Sequence, residues 1–492
     1  MTKMKSMIRI LLATLVFALP TFAASAAAQP AVAAGQPAVP APLPPGQTND
    51  PFAAPIPERD GVIRVNVREF ATLPDIDGLA ARMMNLEDQP ATKRLFVNDM
   101  RGPIYSVSYD GAGVGLYVDI NDLRWGVGVQ FQGRERGFQS FAFHPQFGQT
   151  GSPGFGKFYT YTDTPNMTPP ADFTTPGEKP THDTVLLEWT AKTPAAAVYD
   201  GGPPRELMRL RQPFANHNAG HATFNPLARP GTPEFGLLYL GVADGGSGGD
   251  PMGLAQNMAS AFGKILRIDP SGSNSPNKKY GIPPGNPFVK TKDALPEIYA
   301  LGVRNPQRFA WDPRTSNMFV SDIGQNIVEE VSPVTAGANL GWNVWEGSYR
   351  FIGRQAVSVE KPRSDPAMTY PVAEFGQVDP LLQGSSAASG LIIYRGKEIP
   401  QLTNLLIFTD LPSGELFYVG ADKLPAGGQD AIRRITIGTE GDFKTMLQVV
   451  QAKNQAQGKK PATRVDLRVV GGPANQIFLL NKGDGVIRVI VP

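Results

Sequence analysis

Beyond about residue 60 the chain shows few long helical periodicities. Its apolar residues come in short runs rich in aromatic and branched side chains, separated by polar turns, the pattern of strands. One unit recurs, a strand, a turn containing Gly or polar residues, and a second strand. It appears as "RLFVNDMRGPIYSV" (94–107), then as "KFYTYTDT" with its later partner "HDTVLLEWTA" (157–191). It returns as "LLYLGVADGG" with "GKILRID" (237–269) and as "NMFVSDIGQNIVEEVS" (317–332). "LLIFTDLPSGELFYV" (405–419) and "QIFLLNKGDGVIRVIV" (476–491) complete six.

Six spaced copies of one hairpin predict a radial array, because a single hairpin unit cannot bury both of its faces alone. A β-sandwich or two all-β domains would use similar strands, but no composition break divides the chain after residue 60. The expected fold is all-β, a six-bladed β-propeller of four-stranded antiparallel blades over residues 60–492. Each blade then has about 72 residues against the roughly 40–50 of ordinary blade repeats, so the surplus falls in loops, where binding residues concentrate.

The first residues change the picture. "MTKMKSMIRILLATLVFALPTFAASAAAQP" opens with Lys3, Lys5 and Arg9, continues apolar from Ile10 to about Ala23, and ends in small residues. This is the layout of a secretory signal peptide, assigned to 1–28, and the run is short of the ~20 apolar residues that span a bilayer. The expected location is periplasmic or secreted, without stable membrane insertion. Residues 29–59 are dominated by Pro and Ala, a composition expected to form a disordered tether.

Removal of residues 1–28 takes away three cations and no anion, shifting the formal net charge from +2 to −1. No basic cluster suited to a phosphate backbone remains, so nucleic acid is not an expected partner. The chain has no cysteine, so a fold expected outside the cell must rest on its core rather than on disulfides.

The stretch "ANHNAGH" (215–221) holds two of only four histidines, His217 and His221. Histidines four apart share a face only on a helix, and Asn218, Gly220 and Pro226 argue against one here. No Cys or nearby His completes a zinc set. His221 reads as a packed core residue, His144 in "FAFHP" as a strand-end residue, and His182 has no supporting context.

Six motifs then occur in order: "ERGFQSFAFHPQF" (135–147), "NHNAGHATFNP" (216–226), "LYLGVADGG" (238–246), "EIYALGVRNPQRFAWDP" (297–313), "VSDIGQNIVEEVS" (320–332) and "NLGWNVWEG" (339–347). Together they resemble the glucose/sorbosone dehydrogenase family, soluble quinoproteins that bind pyrroloquinoline quinone (PQQ) with calcium in a six-bladed propeller. The resemblance implies His217 as general base, and imidazole suits that role near neutral pH. It implies that Arg304 and Asn305 face the quinone carbonyls, where charge develops as hydride arrives. It places calcium on main-chain carbonyls of Gly324 and Gln325, hard oxygen ligands on a Gly-containing turn. Arg395 stands where a cofactor-contacting Lys is found, and could meet a PQQ carboxylate.

The chain also departs from the glucose-oxidising members. Ser413 replaces a cofactor-gripping Arg. Asp99 and Gly249 replace sugar-contacting Gln residues, and Asn216 replaces the Asp before the base. The expected activity is PQQ-dependent oxidation of a sugar or related polyol, with electrons passed to a separate acceptor, since a chain without Cys has no C-x-x-C-H haem motif. Two rivals follow from the departures: a non-catalytic exported propeller binding a carbohydrate or cell-envelope partner, and a calcium-dependent lactone hydrolase. The latter would need acidic side chains converging on a central metal.

Overall fold

The six expected hairpins are the two middle strands of six four-stranded antiparallel blades, the last two of which are joined edge to edge into one eight-stranded sheet by parallel pairing of residues 63–65 with 435–437. The computed structural model describes residues 43–492 except 134, 177–178, 219, 383 and 439–443. Blade 1 comprises Met83–Gln89, Arg94–Asp99, Pro103–Ser108 and Val114–Asp119. Blade 2 comprises Phe138–Phe143, Lys157–Thr164, His182–Thr190 and Arg205–Gln212. Blade 3 comprises Ala222–Phe224, Leu238–Val242, Lys264–Ile268 and Ile298–Leu301. Blade 4 comprises Pro306–Trp311, Met318–Asp322, Val328–Val334 and, after an excursion, Ala373–Gly376. Blade 5 comprises Ala388–Tyr394, Leu405–Asp410, Leu416–Gly420 and Arg433–Ile437. Blade 6 takes Arg468–Gly471, Ile477–Leu480 and Val486–Val491 from the C-terminal end, and its outer strand, Ile63–Thr72, from near the start of the described chain.

Hydrophobic clusters bridge each blade to the next. Phe96 and Tyr117 of blade 1 pack with Phe141 and Trp189 of blade 2. Tyr161 and Leu210 then pack with Leu240 and Leu266 of blade 3, and Tyr239 and Ile265 with Trp311 and Val320 of blade 4. Val331 and Phe375 meet Phe408 and Phe417 of blade 5, and Ile407 and Leu416 meet Val469 and Ile477 of blade 6. Phe478 and Val489 return to Leu95 and Val107 of blade 1. The sheets therefore form a closed ring of six, and each blade's apolar faces are buried by its neighbours. A fully buried aromatic or branched side chain contributes about 1.5–3 kcal/mol, so these interfaces can hold a cysteine-free ring together. The pairing of Ile63–Thr72 with Val486–Val491 closes it with backbone hydrogen bonds between distant parts of the chain.

Residues 1–42, including the expected signal peptide and the first part of the tether, lie outside the described residues; most of 43–59 is exposed, but the segment contacts the ring at several points. Gln47–Thr48 pairs with Ala356–Ser358 in a small additional sheet, Phe52 lies edge-on to Tyr349, and Ile56 is buried. The Ile56 amide donates to Asp379 (2.8 Å) and the Ala54 carbonyl accepts from the Gln429 amide (2.7 Å). A Pro-rich segment with few apolar groups can be ordered when other loops supply partners for its backbone, and composition does not report those partners. Among the described residues one α-helix occurs, Met446–Ala456, started by a capping box between Thr445 and Gln448. No helix there is long and apolar enough to cross a membrane.

Candidate active site

The inner strands of all six blades begin around one cavity of about 280 Å³. It is lined by Met84 and Gln139 at the starts of the first two, by His217 in the loop entering the third, and by Arg304, Asn305 and Gln307 at the fourth. Ser385–Ala387 precede the fifth and Arg468 opens the sixth. Gly324 and Gln325, from the loop between the middle strands of blade 4, complete one side.

His217 is buried and sits in the left-handed region at φ +58°, a conformation that costs a non-glycine residue roughly 1–2 kcal/mol. The Glu135 carboxylate accepts its backbone N–H at 2.6 Å and helps hold it there. The ring is gripped from both sides, with Nδ1 2.6 Å from Asp244 Oδ1 and Nε2 2.8 Å from an Arg304 terminal nitrogen. A guanidinium can only donate, so Nε2 accepts, and the proton resides on Nδ1, donated to Asp244. The network thus selects the tautomer in which Nε2 carries the basic lone pair. Asp244 also accepts from the Trp342 indole N–H and the Gly246 amide, both at 2.9 Å. Burial alone would raise its carboxyl. His217, with Arg304 and the Gly246 amide, overrides this and holds it below the ordinary carboxylate range.

Asp322 clamps the Arg304–Asn305 pair by accepting both backbone amides, at 2.8 and 2.6 Å. Its own carboxyl is pushed up by burial to about 7 despite those two donors. The Arg304 guanidinium further donates to the Ile323 carbonyl (2.9 Å) and the Gln325 side-chain oxygen (3.3 Å). The loop bearing Gly324 and Gln325 wraps a buried acid: one oxygen of Glu346 accepts the four successive amides of Gln325, Asn326, Ile327 and Val328 at 2.8–3.1 Å. Gly324 is required there, since an added Cβ would overlap the Val328 carbonyl oxygen. Arg464, Arg468 and Lys482 also line the cavity beside Asp466, and burial pushes the Lys482 ammonium down to about 7. Arg468 is buried and its Nε has no hydrogen-bond partner among the described residues.

The structure therefore brings His217, Arg304, Asn305, Gly324 and Gln325 to one cavity. Arg395 is not among them. It follows the far end of the inner strand of blade 5, eight residues after Ala387, about 25 Å away at ~3.3 Å per residue. There it forms a two-pronged pair with Asp312 at 2.8 and 2.7 Å and a further bond to Asp422 at 2.5 Å. A cofactor role for Arg395 is thereby replaced by a structural ion pair between blades 4 and 5. Ser413 bonds Asp410 rather than lining the cavity, Asp99 is buried against Arg101, and Gly249 donates to Gln325.

The other histidines separate cleanly. His221 accepts the Phe309 amide at its Nδ1 (3.0 Å) and faces a different cavity from His217, so the two do not share a metal. His144 accepts the Gln146 amide just past its strand. His182 is buried against Asn218 and Thr181. No cluster of three or more His, Asp or Glu side chains among the described residues is placed to hold a metal. Sequence reasoning missed Asp244, Glu135 and Glu346. All three lie inside quoted motifs, Asp244 directly after a strand in "VADGG", but only their convergence shows a role.

Residues 211–448, which include His217, Arg304 and the Gly324–Gln325 loop, match the family described as Glucose / Sorbosone dehydrogenase. The chain carries a glucose/sorbosone dehydrogenase domain. The HIPL1 protein of Arabidopsis thaliana is 30% identical over 386 residues, 73% of this chain and 53% of that protein. The chain thus spans about half the length of that relative. Two solved structures share the fold: the soluble aldose sugar dehydrogenase of Escherichia coli in the apo-form and the PQQ-bound aldose sugar dehydrogenase of Streptomyces coelicolor. The first has a TM-score of 0.58 and 17% identity over 87% of this chain and 98% of that one. The second has 0.53 and 20% over 87% and 97%.

Proposed function

We propose that the protein is an exported dehydrogenase of a sugar or related polyol, using PQQ with calcium and passing electrons to a separate acceptor. The observation that carries this reading is the His217 side chain, held by Asp244 in one tautomer with its Nε2 beside Arg304 in the central cavity. PQQ is a flat tricarboxylate, and the residues present fit it: a cavity of about 280 Å³ with Arg304, Arg464, Arg468 and Lys482 on its walls, and a buried Arg468 Nε without a partner. Arg304, Asn305, Arg464 and Arg468 would hold it, and the carbonyl oxygens of Gly324 and Gln325 are the ligands offered to calcium. When bound, PQQ supplies a two-electron acceptor for the hydride leaving the substrate carbon.

The chain's own contribution is a proton acceptor and its positioning. His217 Nε2 takes the proton of the substrate hydroxyl once Arg304 has turned from it, and Asp244 stabilises the imidazolium that forms, as a buried carboxylate does for a catalytic histidine. Arg304 and Asn305 offer N–H donors where negative charge develops. Glu135 and Gln139, on the same wall as His217, supply hydrogen-bonding groups for neighbouring hydroxyls.

A second reading, a non-catalytic propeller that binds a carbohydrate or cell-envelope partner, draws support from Arg395 and Ser413, neither of which reaches the cavity. Reconstitution separates the two. Purified protein titrated with PQQ and calcium is expected to change the cofactor's absorbance and to reduce a dye on a panel of aldoses and polyols. Absence of PQQ binding favours the binding module; PQQ binding with no turnover on any sugar rejects the substrate class.

A further inference from the structure

The opposite mouth of the ring, where the inner strands end, holds a second and larger cavity of about 700 Å³, within the range of small-molecule sites. Its walls are aromatic and branched, with Phe143, Phe224, Phe309, Trp311, Leu391 and Ile393. It is separate from the active-site cavity: of neighbouring residues, Met84 and Gln307 line the first, and Asn85 and Arg308 line the second.

Arg308 lies between the two. It is 3% exposed, and its terminal nitrogens donate to the carbonyls of Gln307 and Met84. Among the described residues its Nε has no hydrogen-bond partner, and no carboxylate forms an ion pair with it. A buried guanidinium is ordinarily paired, because desolvating an unpaired charge is costly. The acid nearest in influence, Glu87, shares the cavity, but burial pushes its carboxyl up to about 7; burial first, and then the neighbouring cation Arg468, disfavour the charge on Arg308, a cost that a carboxylate beside it would relieve. The site has a cationic, donor-bearing floor beneath an apolar shaft. His221 adds to this floor: its Nδ1 accepts the Phe309 amide, which leaves the proton on Nε2.

We propose that this second cavity binds a small molecule with a carboxylate head and an aromatic or branched apolar body, the carboxylate pairing with Arg308. The site is independent of the dehydrogenase reading and does not require PQQ.

Calorimetry with 2-naphthoate as probe, alongside quenching of tryptophan fluorescence from Trp311, tests it. One-to-one binding is expected, with neutral 2-naphthamide at least about tenfold weaker, as loss of a charge-assisted hydrogen bond implies. Arg308→Met should remove the preference for the acid. If that variant does not fold, Ala310→Phe, a half-buried wall position, should block the cavity and abolish binding, while Arg464→Ala in the other cavity leaves it unchanged. Equal affinity for acid and amide overturns the proposal. So does binding that survives Ala310→Phe or disappears with Arg464→Ala.

Discussion

His217 and Asp244, 27 residues apart in the chain, share a 2.6 Å hydrogen bond in which the carboxylate is fully buried and the imidazole nearly so. Asp244 accepts three donors: the His217 Nδ1–H, the Trp342 indole and the Gly246 amide. An asparagine there would offer one acceptor oxygen and an NH2 group, so one of those donors would face another donor. The neutral amide also no longer supplies the carboxylate charge that stabilises the imidazolium formed when Nε2 takes a proton. Asp244→Asn is therefore expected to lower dye-reduction turnover by ~10²–10⁴-fold, the range of a lost general base, with PQQ affinity changed only a few-fold. Wild-type turnover in this variant would separate the Asp244 charge from the activity.

Arg395 gives a prediction of the opposite kind. Its guanidinium bonds both oxygens of Asp312. Burial alone would raise the Asp312 carboxyl, but Arg395 and the Arg314 amide bring it down to about 2. A depressed carboxylate contributes stability above its unfolded value of ~3.9 and loses it as pH falls through the folded one. Arg395→Met should reduce stability in denaturant titrations at pH 5–7, and its difference from wild type should narrow as pH falls from about 4 towards 2. PQQ affinity and turnover at permissive temperature should be unchanged. Weakened PQQ binding would return Arg395 to the site.

Gly324 is tested by its missing side chain. Alanine there would overlap the Val328 carbonyl oxygen, so Gly324→Ala should displace the loop whose amides converge on Glu346. The expected result is loss of calcium-dependent PQQ binding with blade 4 still folded, read as a melting transition lowered by only a few degrees, since ~1 kcal/mol shifts a chain of this size by roughly 2–4 °C or less. Binding of PQQ as tight as in wild type would dismiss the loop as a cation support.

The legible part of the fold was its repeat. Each of the six hairpins carries its signal locally, in strand-length runs and the turn between them, and the ring follows because each exposed face needs a neighbour. The contacts of segment 43–59 were illegible because they are made with partners hundreds of residues away, such as Asp379 and Gln429. At the site, His217, Arg304 and the Gly324 loop stood out through the family resemblance that their motifs carry. Asp244 and Asp322 did not, since a single acid after a strand looks like a turn residue until its donors are known. Arg395 was placed by the same resemblance, at the position of a cofactor-contacting Lys, and only strand direction tells which mouth a cation after a strand reaches.

Arg304 and His217 should respond differently to removal, and the comparison tests the proposed division of labour. In the structure the Arg304 guanidinium is shared among the His217 Nε2, the Ile323 carbonyl and the Gln325 side chain. It is therefore part of the cavity's framework as well as a donor into it. Removing it takes away a cation that would face a tricarboxylate and a donor that would face developing charge, so both the ground state and the transition state lose a partner. Removing His217 takes away the proton acceptor and one partner of Arg304, but no cation. Arg304→Ala is expected to weaken PQQ binding by at least tenfold, equivalent to ~1.4 kcal/mol, and to lower turnover at saturating cofactor. His217→Ala is expected to bind PQQ within a few-fold of wild type while losing ~10²–10⁴-fold in turnover. Cofactor titration followed by single-turnover reduction separates the two quantities. If His217→Ala loses cofactor affinity as severely as Arg304→Ala, the imidazole is a binding group and the base must be sought elsewhere in the cavity. The other acid on that wall is Glu135, which holds the His217 amide.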